Sequence, residues 1–257
     1  MFKATPLFSG SSGNCIYVRF NDEEILIDAG VSFKKICSAL NHIGTDISNI
    51  KAVLVTHEHS DHVQGLPVLS RHTDIPIYIN RKSASYYDLP LDELFSGHAK
   101  IRDPGDSITF DSFEVNVFAT PHDSIGSCGY HFTFSDGNRF ALATDMGEIT
   151  PEISSYLLGC RTVVIESNHD VKMLKNGPYP YILKKRILSD HGHLSNDGCA
   201  AFVPKLVDMG AEKIVLAHLS QENNTPELAY KTSAEALAEA GYTPNDVKLT
   251  VAMRSII

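Results

Sequence analysis

Short apolar runs alternating with longer amphipathic stretches predict a mixed fold, α/β or α+β, for this 257-residue chain. Three observations carry that expectation. Strand-like and helix-like segments mix in two halves of similar plan. Several apolar runs end abruptly in Asp or His. One of them, Lys51-Ala52-Val53-Leu54-Val55, runs straight into Thr56-His57-Glu58-His59-Ser60-Asp61-His62, four potential metal ligands within six residues. No linker, low-complexity segment or long charge block interrupts the chain, so a single domain spanning residues 1–257 is expected.

Taken in order, residues 14–20 and 23–29 are β-rich runs flanking Asn21-Asp22, a hairpin signature. Ser32 stands where it can cap a helix carrying Ile36, Leu40 and Ile43. A strand at 51–55, a helix near 62–71 and a strand at 77–79 follow. The middle is strand-rich, with runs at 107–110, 113–119, 128–135 and 139–144, the last two joined by Asp136-Gly137-Asn138. Apolar runs at 161–166 and 212–217 begin a second α/β section, with helices expected over 179–189, 195–209 and 225–240 and a last strand over 247–252. Thr225-Pro226-Glu227 has the capping hydroxyl, first-turn Pro and acidic residue of a helix start.

Composition narrows the function classes. With 43% hydrophobic and 21% charged residues, the chain has the balance of a soluble globular protein. No segment reaches the apolar length of a membrane span or a secretory signal, and five scattered cysteines without a C-x-x-C pair fit a reducing compartment. A cytoplasmic location and no membrane partner are therefore expected. The formal net charge of −9 argues against nucleic-acid binding by bulk charge. A local basic groove remains open to it, and Lys184-Lys185-Arg186, just before His191-Gly192-His193, is the candidate.

The chemistry lies in the polar residues that end apolar runs. Ile25-Leu26-Ile27 ends in Asp28. Residues 115–119 lead to Thr120-Pro121-His122. Phe140-Ala141-Leu142-Ala143-Thr144 ends in Asp145, and Ile214-Val215-Leu216-Ala217 in His218. On one sheet edge these groups would converge on the His57–His62 loop, where carboxylates and imidazoles suit divalent zinc, manganese or iron. The small, flexible Ser9-Gly10-Ser11-Ser12-Gly13-Asn14 is a candidate anion-binding turn through its backbone N–H groups.

The order of these motifs resembles that of the metallo-β-lactamase-fold hydrolases across essentially the whole chain. That resemblance implies a four-layer α/β/β/α sandwich of two face-to-face β-sheets, in two pseudo-similar halves with the active site between them. It implies that His57, His59 and His122 bind a first metal ion, that Asp61, His62 and His218 bind a second, and that Asp145 bridges them. Asp28 would orient the histidine loop from behind. Nucleases of this fold, such as RNase Z and RNase J, carry a similar acidic residue followed later by a His, which implies that Glu166 holds His193 beside the scissile phosphate. Closer still, Glu166-Ser167-Asn168-His169-Asp170, Gly177-Pro178-Tyr179-Pro180, Leu183-Lys184-Lys185-Arg186-Ile187 and Gly192-His193-Leu194-Ser195-Asn196 resemble the YycJ/WalJ-type subgroup. That subgroup is bacterial, cytoplasmic and described as a 5′-to-3′ DNA exonuclease linked to DNA repair.

The resulting expectation is phosphodiester hydrolysis by a hydroxide held between two divalent ions. Asp61, His193 and Glu166 would be the catalytic side chains. Ser11, Ser12, Asn14, Ser195, Lys184 and Arg186 would contact substrate. DNA is the expected partner ahead of RNA, and no oligomeric state is implied. A phosphodiesterase for a small cyclic nucleotide or metabolite, an RNA-processing nuclease and an inactive metal-binding protein are the competing expectations.

Overall fold

The computed structural model describes residues 2–87 and 90–257. The chain divides into two compact units. The first comprises residues up to Val117 with Ser124–Cys128 and Met253–Ile257, and the second Phe118–Asp123 with Gly129–Ala252.

In the first unit a six-stranded sheet keeps chain order: β1 (Phe2–Phe8), β2 (Cys15–Phe20), β3 (Glu23–Ile27), β4 (Ile50–Leu54), β5 (Ile77–Ile79) and β6 (Ala99–Ile101). The first three strands pair antiparallel and the rest parallel. Asn21-Asp22 makes the β2–β3 turn, with Phe20 opposite Glu23 and Asn21 at φ 54°. The sequence pattern misses β1 and β6. Pro6 reads against a strand, but β1 is an edge strand, where a missing N–H is tolerated. Two further strands, β7 (Ser107–Thr109) and β8 (Phe113–Ala119), form an antiparallel hairpin. A core built around Leu7, Leu26, Ile36, Leu40, Leu66 and Phe95 packs this unit.

Ser32 occupies the N-cap of helix Phe33–His42 without making a side-chain cap bond. The helix expected near 62–71 is two short pieces, Ser60–Val63 and Leu66–His72. They break where the Gly65 N–H leaves the helical ladder and donates to Ala29 O at 2.8 Å.

The second unit holds β9 (Cys128–Phe134), β10 (Arg139–Ala143), β11 (Thr162–Glu166), β12 (Lys213–Ala217) and β13 (Lys248–Val251), again neighbours in chain order. β9 and β10 are antiparallel; β10 to β13 are parallel. Its own core includes Phe118, Val163, Ile165, Leu206, Ile214 and Leu216. The helix expected over 195–209 is again two, Asn196–Ala200 and Val203–Asp208. Pro204 has no N–H for a helical bond, so it sits in the first turn of a new helix rather than inside one long helix. Thr225 caps Pro226–Glu239 as its sequence suggests, accepting from Leu228 N at 3.2 Å.

Both units thus follow one plan, antiparallel strands leading into a parallel run. Four cysteines are buried and Cys37 half-buried, all as free thiols. Burial pushes the Cys160 and Cys199 thiols up to about 12, which leaves them unreactive. Among the described residues no helix is long and apolar enough to cross a membrane.

Candidate metal centre

Parallel pairing of β3 and β4 brings their C-terminal ends together in the first unit. Asp28 follows β3 at φ 62°, a conformation few residues other than glycine adopt. Its N–H donates to Leu54 O at 2.8 Å. Its carboxylate faces the histidine loop. Oδ1 accepts the Thr56 N–H at 2.8 Å, and Oδ2 accepts the Thr56 hydroxyl at 2.9 Å and His62 Nδ1–H at 2.8 Å. Burial raises the Asp28 carboxyl, opposed by the charge and hydrogen bonds of His62 and the bonds from Thr56. A His62 that donates from Nδ1 carries its lone pair on Nε2.

The loop's imidazoles pack tightly, with the His57 ring centroid 4.6 Å from that of His59 and 4.1 Å from that of His62. Asp61 Oδ2 lies 3.5 Å from His62 Nε2. Two features hold the loop in place. A Cβ on Gly30 would fall 1.6 Å from Asp61 O, so only glycine lets the Asp28 turn pass this close. Asn14 N donates to Asp61 O at 2.8 Å, while its side-chain Nδ2 lies 3.0 Å from His62 Nε2 and 3.3 Å from Asp61 Oδ2. Glu58, the one carboxylate of the motif outside the expected ligand set, is a brace: it accepts from Ser83 Oγ at 2.7 Å and from Ile125 N at 2.7 Å.

In the second unit β10, β11 and β12 are parallel neighbours, so Asp145, Glu166 and His218 share one edge. Asp145 and His218 are also left-handed, at φ 57° and 55°. Of the five non-glycine residues with positive φ among those described, three are expected site residues, the clustering that strained functional positions show. Glu166 is fully buried at the centre. Its Oε1 accepts His193 Nδ1–H at 2.7 Å and His218 Nδ1–H at 3.0 Å, and its Oε2 accepts the N–H of Met146 at 2.9 Å and of Leu194 at 3.2 Å. Burial alone would raise this carboxyl; the charges and bonds of His193 and His218 win and hold it well below the usual carboxylate range.

Asp145 Oδ1 lies 3.4 Å from His218 Nδ1 and 3.9 Å from His122 Nε2. His122 donates from Nδ1 to Gly192 O at 3.0 Å. Desolvation lowers the His122 pKa to about 4 despite Asp145 nearby, so the ring is neutral near pH 7. The loops behind are tied by amides: Asn224 Nδ2 donates to Ser167 O and Asn168 O, and Asn168 Nδ2 donates to His218 O, each at 2.9 Å.

The expected site residues therefore assemble as two groups: Asp28, His57, His59, Asp61 and His62 with Asn14 in the first unit, and His122, Asp145, Glu166, His193 and His218 in the second. Ser11 and Ser12 are exposed on their loop. Ser195 caps its helix, accepting from Gly198 N at 3.0 Å. Lys184 Nζ donates to Lys175 O and Gly177 O at 2.8 and 2.7 Å, and Arg186 pairs with Asp123. Sequence reasoning missed Thr56, the Gly192 carbonyl and the second imidazole on Glu166. Only Thr56 and Gly192, each adjacent to a motif histidine, left any signal.

Residues 23–219 match the family model described as a beta-lactamase superfamily domain. The chain is 37% identical over 236 residues to the exodeoxyribonuclease YycJ of Bacillus anthracis, covering 92% of this chain and 89% of that one. It is 39% identical over 241 residues to the exodeoxyribonuclease WalJ of Streptococcus pneumoniae, covering 93% and 89%. This chain belongs to the metallo-β-lactamase superfamily, in the YycJ/WalJ group. Among solved structures, Zn(2+)-bound PqqB from Methylobacterium extorquens shares the fold, with a TM-score of 0.75 at 17% identity over 100% of this chain and 99% of that one.

This fold implies divalent metal ions, and the donors present fit them. The first unit offers clustered imidazoles with one Asp carboxylate. In the second, Asp145, Glu166, His193 and His218 each present a ligand atom within 4.8 Å of the others'. Nitrogen and carboxylate donors of this kind suit zinc, manganese or iron. The carboxylates and carbonyl behind the rings at Asp28, Glu166 and Gly192 match the outer-shell pattern of metal-binding histidines.

Proposed function

We propose that this chain is a metal-dependent exodeoxyribonuclease that shortens DNA from the 5′ end in the cytoplasm. Two divalent cations, zinc, manganese or iron, would be held by the expected ligand residues. His57, His59 and His122 would serve one ion, Asp61, His62 and His218 the other, with Asp145 a shared ligand. The relatives' activity supports the reaction class, and the donor chemistry of each unit supports the metals. When bound, such ions acidify water and polarise phosphoryl oxygens.

The observation that carries the reading is the shared carboxylate of Glu166. By accepting Nδ1–H from both His193 and His218 it fixes two rings at once. One ring then serves as metal ligand. The other, His193, presents Nε2 to protonate the departing oxygen. Asp61 accepts the proton of the attacking water. Asp28 and Thr56 hold the loop that carries it.

The test is incubation of the manganese-loaded protein with 3′-end-labelled single-stranded DNA and, separately, with bis-p-nitrophenyl phosphate, beside Asp61→Ala. Stepwise shortening from the 5′ end, abolished in Asp61→Ala, is the expected outcome. Turnover of the small diester with intact DNA would replace this reading with a metabolite phosphodiesterase. Equal cleavage of RNA would widen the substrate class.

A further inference from the structure

The helix Tyr181–Ile187 has no fully buried residue; Leu183 and Ile187 are half-buried and Tyr181 and Ile182 face solvent. Its first two side chains, Tyr181 and Ile182, are 79% and 82% exposed, the most exposed large hydrophobic side chains among the described residues. Single exposed apolar residues are ordinary, but an adjacent pair at this exposure is not.

The charge around the pair is as unusual. Residues 171–189 contain Lys172, Lys175, Lys184, Lys185 and Arg186 and no Asp or Glu, in a chain with 22 basic and 31 acidic residues. Lys172, Lys175, Lys185 and Arg186 are exposed. This positively charged segment thus carries the exposed Tyr181–Ile182 pair.

The far end of the same helix is fastened to the candidate site. His193 N donates to Ile187 O at 3.0 Å. A Cβ on Gly192 would lie 2.3 Å from the carbonyl oxygens of Arg186 and Ile187, so the chain presses closely there, and Gly192 O is the acceptor for His122. Arg186 pairs with Asp123, whose Oδ1 is 3.4 Å from His122 Nε2. Lys184, through its two carbonyl bonds, ties the helix to the end of Val171–Asn176. Tyr181 stands roughly 9 Å along the helix axis from Ile187. The helix is thus tied to the site through Arg186 and Ile187, and to Gly177 through Lys184.

We propose that Tyr181 and Ile182 form a base-stacking platform for the single-stranded end of a DNA substrate, with Lys172, Lys175 and Lys185 on the adjoining phosphates. This rests on the exonuclease reading above and specifies its substrate as single-stranded or frayed DNA. An aromatic face within a basic field is how proteins hold single strands without regard to sequence. Bases paired inside a duplex do not offer their faces to it. A second copy of this chain would bring the same positive field against itself, which disfavours self-association through this patch.

The experiment compares wild type, Tyr181→Phe, Tyr181→Ala and Tyr181→Ala/Ile182→Ala as full-length, manganese-loaded proteins. KM is measured for single-stranded and for blunt duplex DNA, with bis-p-nitrophenyl phosphate turnover and solution mass as controls. Tyr181→Ala should raise KM for the single strand roughly five- to a hundredfold, and the double variant more. Phe should restore binding, blunt duplex should respond little, and the small diester should not respond. Wild-type binding should fall with a log–log salt slope of about −2, as three phosphate contacts require, and Lys185→Glu should flatten it. An unchanged KM in Tyr181→Ala, with wild type active on DNA, overturns the platform and leaves the exonuclease standing. A change in solution mass with unchanged KM makes the patch an interface between copies instead. A wild type that cleaves only the small diester removes the exonuclease reading and the platform with it.

Discussion

The first unit draws its candidate donors from the six contiguous residues His57–His62; the second collects His122, Asp145, Glu166, His193 and His218 from five separate segments. Each unit has a buried carboxylate behind its imidazoles, but the two do different work. Asp28 serves one ring, His62, and otherwise secures the backbone and hydroxyl of Thr56. Glu166 serves two rings through one oxygen and two backbone N–H groups through the other. A local cluster needs only to be aimed. A dispersed one needs a hub, and damage to the hub spreads to every group that leans on it.

The largest effect is therefore expected from Glu166→Gln. A neutral amide lacks the charge that favours both Nδ1–H donors, and its NH2 would face N–H groups where Glu166 presents oxygen. kcat on DNA should fall by roughly 10² to 10⁴, the range of general acid–base assistance, and less on bis-p-nitrophenyl phosphate, whose p-nitrophenolate departs without protonation. Excess manganese should not restore it, because His193 is misplaced as well as His218. A loss under tenfold, read by steady-state kinetics with thermal melting as the folding control, would end the hub reading.

Asp28→Asn should do less and fail differently. It loosens one imidazole of a loop that is still held by Gly30 and Asn14. Metal affinity should drop about 10- to 100-fold, measured by competition with a chelator, and activity should return when manganese is raised. If both variants recover equally with metal, the contrast between hub and local cluster is wrong.

The same contrast explains what could be read in the sequence. The histidine loop was legible because its donors are contiguous and follow a plain apolar run. The β2–β3 hairpin was legible because Asn21 and Asp22 tolerate the turn. Asp145, Glu166 and His218 were visible only as strand-end residues. That they share an edge depends on β10, β11 and β12 pairing in parallel, which no local pattern states; family resemblance supplied it. The Gly192 carbonyl that orients His122 is a backbone group, marked in the sequence only by the neighbouring His193. The two split helices failed for a related reason. Gly65 and Pro204 mark the breaks, yet the apolar periodicity runs through both.

The smallest effect separates two roles for the opening loop. Ser11, Ser12 and Asn14 were expected to touch a substrate phosphate together. Asn14 instead spends its side chain inside the protein, with Oδ1 accepting from Gly10 N at 2.9 Å and Nδ2 against Asp61 and His62. Asn14→Ala should cost about 1 kcal/mol of stability, the usual worth of such a bond, and lower kcat several-fold by freeing Asp61, with KM little changed. Ser11→Ala and Ser12→Ala, both exposed, should leave stability alone. A rise in KM for DNA in either serine variant would assign phosphate contact to the exposed part of the loop and bracing to Asn14. Unchanged KM in both would make the whole loop a brace for the histidine cluster, the first unit's modest counterpart to Glu166.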